Sequence, residues 1–138
     1  MLIMCLNSLL RTEPYVRVFV AMETVEAKLT VERSKFHALF APASSLDEVK
    51  QLLAKRRRAV KKAGHHCWAA RFAGEEHARD DGEVGKPGHR LLELLRRYDL
   101  EGVLIVSRVF GGVKLGPAGV GRAFRDAGQA AVDALSRT

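Results

Sequence analysis

The residues most able to do chemistry sit in RVFGGVKLGPAGVGRAF, residues 108–124. Gly111, Gly112 and Gly116 allow backbone angles and close approaches that a side chain would block, and Pro117 suits the first turn of a helix, where its missing N–H has no partner to lose. A helix starting there presents free N–H groups and a positive dipole end. Arg108, Lys114 and Arg122 surround that end, and Gly116 and Gly119 leave its backbone open. Such a set can bind an anion. The same glycines also serve a plainer purpose, letting a tight strand-to-helix turn lie close on a sheet, and both readings stand at this point. Neither the GK[ST] phosphate loop nor a GxGxxG fingerprint is matched.

A second cationic set comprises Lys55, Arg56, Arg57, Arg58, Lys61 and Lys62. They crowd the C-terminal half of an expected helix, where the dipole favours cations by about 0.3–1 kcal/mol each. Dipole relief does not need so many, so the cluster either contacts phosphates or forms a solvated face. A third set, His65, Arg71, Asp80, Asp81 and Glu83, is a polar site by composition. Its carboxylates could hold magnesium or act as acid and base, or simply be solvated on a loop. His65 and His66 alternate to opposite faces of a strand, which argues against both ligating one metal, and Cys67 likewise points away from His66. No metal, cofactor or catalytic pair is expected.

These groups need elements to hold them. Residues 24–31 alternate apolar and polar as a half-buried strand, and Ser34 to Phe40 forms a second after a short turn. Ser44 or Ser45 is expected to cap the next helix, with Glu48 three residues after Ser45 in a capping-box arrangement and Leu46, Val49, Leu52, Leu53 and Val60 as the buried stripe. HHCWAARF is a strand, and the polar stretch from Gly74 to Gly88 is expected to be a long loop. Leu91, Leu92, Leu94, Leu95 and Tyr98 mark a short amphipathic helix, and Val103 to Val109 a central strand. Small residues at helical spacing from Val120 to Leu135 complete the last helix. The expected fold is α+β, a two-layer sandwich of a mixed sheet with helices packed on one face.

The chain has 138 residues, 47% hydrophobic, enough for one core. Residues 24–138 are expected to be one domain. Residues 1–23 read as an N-terminal extension or an edge strand at Tyr15 to Val20, with Met1 and Met22 both available as starts. No apolar run is long enough to span a membrane, a secretory signal is not indicated, and two cysteines far apart fit a reducing cytoplasm. The net charge of +7 favours a polyanionic partner.

Three stretches in order, SKFHALFAPASSLDEV, GHHCWAARF with DDGE, and RVFGGVKLGPAGVGRAF, resemble the N-terminal domain of the IMPACT/YigZ family. The resemblance implies a fold shared with a ribosomal small-subunit protein domain and with domain IV of elongation factor G, and a link to translation. Eukaryotic members regulate the kinase response to amino-acid starvation by competing for that kinase's activator. Two departures appear: DDGEVGKPGH stands where the family reads DDGEPSGTAG, and GPAG where it reads GTGG, so hydroxyl-dependent roles of those loops do not carry over. The companion domains of bacterial and eukaryotic members have no counterpart in these 138 residues, and the kinase role is not transferred.

Three functions from different classes follow, in order. The first is a non-enzymatic, translation-linked domain that contacts RNA or the ribosome through the basic helix and the glycine turn. The second is a protein-interaction regulator of translation or stress response, and the third an enzyme on a phosphorylated or acyl substrate. Aromatic residues are only 7% of the chain, so RNA recognition is expected to be of backbone and shape.

Overall fold

The computed structural model describes residues 23–136. The candidate strand at Tyr15 to Val20 lies outside them. Five strands and three helices follow in the order β1 (Val25–Val31), β2 (Ser34–Ala41), α1 (Leu46–Ala59), β3 (His65–Phe72), β4 (Glu75–Arg79), α2 (Pro87–Arg97), β5 (Gly102–Val109) and α3 (Gly116–Ser136). The α+β class is as expected. Two of its details differ.

The sheet order is β1-β2-β5-β3-β4, and every neighbouring pair is antiparallel. The crossover β2–α1–β3 does return a parallel strand, as a βαβ unit should, but β5 inserts between the two and pairs antiparallel with both. A mixed sheet was the expectation because sequence order hides that insertion. The helices also occupy both faces. On one, Phe36, Ala38, Phe40, Cys67, Ala69, Leu104 and Val106 pack against α2 and α3; on the other, Leu39, Trp68, Ala70, Val103 and Ile105 pack against Val49 and Leu53 of α1. Central strands buried on both faces must be almost continuously apolar, which is how β5 reads.

The expected long loop contains an edge strand. β4, EEHAR, pairs with β3 from Trp68↔Arg79 to Phe72↔Glu75 and has no apolar alternation or β-branched residue to betray it. Among the described residues β4 is paired on one side only, and charged side chains suit such an edge.

α1 begins as expected: Glu48 N–H donates to Ser45 Oγ at 3.2 Å, while Glu48 Oε1 accepts from Ser44 N–H at 2.7 Å. Its inward row is Val49, Leu53 and Arg56, at positions i, i+4 and i+7. Leu46 is instead exposed and Val60 follows the helix as its cap.

Candidate nucleic-acid interface

Sheet topology brings most of the polar residues, though not Arg71, to one end of the sheet. β3 starts at His65 opposite Arg108 near the end of β5, and Gly64 N–H donates to the Arg108 carbonyl at 3.1 Å. The C-terminal end of α1 runs into this point through Lys61 and Lys62, while α3 starts just beyond it after Lys114. The basic helix and the glycine turn therefore belong to opposite layers yet lie at the same sheet end. Lys55, Arg57, Arg58, Lys61, Lys62, Lys114 and Arg122 are all exposed.

Arg56 separates from its neighbours. It is 7% exposed, its Nη1–H donates to Glu26 Oε1 at 3.2 Å, and its Nε is buried with no hydrogen-bond partner among the described residues. This guanidinium faces the sheet rather than a solvent-borne phosphate. Below it, His37, Ser107 and His66 are successive cross-strand partners on one face, and His66 Nδ1 and Ser107 Oγ share a hydrogen bond of 2.7 Å.

Burial lowers the pKa of both histidines. Lys28 and Arg56 add to this at His37, with Lys35 in the same sense and Glu26 opposing. At His66, Arg57 adds, then Arg56 and His65, while Asp81 opposes. Both rings thus take up protons at lower pH in the fold than in the unfolded chain, whose histidines protonate around the ordinary value of about 6.5, so stability falls as pH drops through that value and levels off beneath the folded pKa values. Melting temperatures measured from neutrality to about pH 5 should decline, and less steeply in His37→Gln; equal slopes would show that His37 does not contribute.

The acidic loop is built inward. Asp80 Oδ1 accepts from Gly88 N–H at 2.8 Å, and Asp81 Oδ2 from His66 N–H at 2.8 Å. Glu83 is buried and takes Arg108 in a two-pronged pair, Nε–H to Oε2 at 2.8 Å and Nη2–H to Oε1 at 3.3 Å. His65 Nδ1 lies 2.9 Å from the Asp81 carbonyl, which can only accept, so this nitrogen carries the proton and Nε2 is left 3.7 Å from Glu83 Oε2. Cys67 S–H donates to the Asp80 carbonyl at 3.1 Å, and burial pushes its thiol pKa up. Among the described residues no three His, Cys, Asp or Glu side chains group as metal ligands. His65, Asp80, Asp81 and Glu83 thus come together. Arg71 does not: at the far end of β3 it donates to the Leu95 and Leu100 carbonyls at 3.1 and 3.3 Å and pairs with Glu76.

In the glycine stretch, Gly112 and Gly116 have φ of +93° and +74°, the left-handed region where glycine is at no disadvantage. α3 starts at Gly116, one residue before Pro117. Of the helical glycines, Gly121 and Gly128 are there for packing: a Cβ would stand 2.6 Å from Arg90 Nε at the first and 2.7 Å from Leu91 Cδ2 at the second. Gly119 meets only Leu115 Cβ at 3.3 Å and Arg122 at 4.0 Å. A groove of about 490 Å³ opens before α3, bringing together His65, Arg108, Lys114 and Gly116 with Val84, Phe110 and Pro117. Gly119 and Arg122 are outside its lining. Phe110 and Val84 were not foreseen as site residues; an aromatic directly after an apolar strand reads as more strand, whereas Phe110 is 53% exposed.

A family model described as the Impact N-terminal domain matches residues 32–132. The chain belongs to the Impact family. Over 108 residues the domain is 39% identical to an IMPACT family member from Thermus thermophilus, covering 78% of this chain and 58% of that protein. Over 100 residues it is 37% identical to Protein IMPACT of Rattus norvegicus, covering 66% of this chain and 31% of that protein. The Impact chain thus spans from 31% to 58% of the length of these relatives. A crystal structure of a hypothetical protein superposes with TM-score 0.76 at 25% identity, covering 80% of this chain and 57% of the other. Among the described residues no helix is long and apolar enough to cross a membrane.

Proposed function

We propose that this Impact domain is a translation-linked binding module that contacts RNA, free or in the ribosome, through its cationic sheet end. One observation supports the reading: the exposed cations of α1 and its following turn lie at the same end of the sheet as Lys114 and the start of α3, on the opposite face, although they are far apart in sequence. Of the carboxylates at the same end, Glu83 is paired with Arg108, while Asp80 and Asp81 keep their charge as they accept from backbone amides and are outnumbered by the exposed Arg57, Arg58, Lys61, Lys62 and Lys114. The family resemblance supports the link to translation, and the exposed cations support contact with phosphates.

The corresponding experiment measures RNA affinity against salt. Each phosphate contact contributes about −0.7 to −0.9 to the slope of log K against log salt. Neutralising Arg57, Arg58, Lys61 and Lys62 together, with Arg56 left in place, should preserve the fold, weaken binding and flatten that slope. Unchanged affinity and slope would remove α1 from the interface.

A further inference from the structure

The groove before α3 combines features that phosphate contact alone does not use. Phe110 leaves half of its surface in solvent beside the exposed Val84, and the two help line one cavity of about 490 Å³. That volume lies in the range of sites for small molecules, roughly 300–1,000 Å³. Phe110 is also braced. The Arg108 guanidinium stands 5.6 Å from its ring centroid, and Arg108 is itself fixed by the two-pronged pair with buried Glu83. One side of the ring is thus supported by protein and the rest is open. Lys114, also in the cavity lining, is exposed near Gly116, where an added Cβ would find nothing within 4 Å, so the backbone there is accessible.

An aromatic surface, apolar walls and one cationic, open-backbone rim are complementary to a ligand with a flat apolar part and a single attached anion. We propose that the groove is a one-nucleotide subsite: an unstacked base lies on Phe110 against Val84, and its phosphate sits at Lys114 and the Gly116 backbone. The inference rests on the RNA reading of this end and adds to it that contact is made with a base as well as the backbone. Base stacking on an aromatic tolerates any sequence, so the subsite selects single strands over duplex rather than one base over another.

Two measurements on the full chain test it. AMP and inorganic phosphate are titrated separately while the Phe110 ring and Lys114 amide signals are followed by NMR. AMP should move both, and phosphate the Lys114 signal alone. Affinity for a short oligouridylate is then compared between the parent, Phe110→Ser, and Lys61→Ala with Lys62→Ala. Phe110→Ser should lose about tenfold in affinity at an unchanged salt slope, whereas the lysine variant should lose slope and keep its response to AMP. A Phe110 ring indifferent to AMP, or one moved only by an acidic apolar peptide, overturns the subsite. So does full oligouridylate affinity in Phe110→Ser. If AMP moves the ring but oligouridylate does not bind, the nucleotide subsite stands and the RNA reading of the cationic end fails.

Discussion

Glu83→Ala should destabilise the domain by about 3–5 kcal/mol, seen as a fall in melting temperature on the order of 10–20 °C. Glu83 has a side-chain exposure of 3% and its partner Arg108 one of 12%, so water cannot readily replace the lost carboxylate. The alanine chain must hold an uncompensated guanidinium or expose it by moving the end of β5. It also loses the acceptor for Val84 N–H, bonded to Glu83 Oε1 at 3.0 Å. The loss arises from leaving one ion alone, so Glu83→Leu combined with Arg108→Met should recover most of the stability. Thermal denaturation of both variants separates the outcomes: a mild single mutant, or a double mutant as unstable as the single, would show that this pair does not anchor the loop.

Gly111→Ala should cost at least about 1–3 kcal/mol for a different reason. A Cβ there would overlap the Arg33 carbonyl group and come within 2.5 Å of Ser34 N. The turn it meets has little freedom to retreat. Glu32 and Arg33 both have positive φ, at 47° and 70°, in the two-residue connection between β1 and β2. Gly111 N–H also donates to buried Ser34 Oγ at 3.0 Å, a bond that retreat would break. Gly112→Ala is the instructive neighbour, because nothing lies within 4 Å of its Cβ and only its φ of +93° is unfavourable. Urea unfolding should place Gly111→Ala clearly below Gly112→Ala; the reverse order would mean that backbone angle, not close approach, dominates this turn.

The two glycines illustrate what a sequence displays. That the stretch turns sharply into a helix was legible from Gly116 and Pro117, but which glycine meets another backbone depends on the β1–β2 turn, some 77 residues earlier in the chain. Capping at Ser45 and Glu48 is local, and so was readable. Arg56 was not: among Lys55, Arg57 and Arg58 it looks like one more surface cation, and only the phase of Val49 and Leu53 sends it inward. β4 escaped because pairing with β3, rather than any apolar pattern of its own, makes it a strand. The acidic loop looked capable of metal or acid–base chemistry because carboxylates without coordinates have no partners. Folded, each of Asp80, Asp81 and Glu83 accepts a hydrogen bond from the protein itself.

That α1 ends and α3 starts at the same end of the sheet is the least readable feature and the one on which the proposed RNA contact rests. The most direct measurement is an amide NMR titration of the parent chain with single-stranded RNA at low salt. If the cationic sheet end is the interface, signals of residues 57–65 and 114–119 should shift together at one binding constant. Those of residues 46–50 and 75–77, at the other end of α1 and beside the far end of β3, should stay in place. Shifts confined to the latter regions, or none in residues 57–65 while RNA binds, would contradict the assignment.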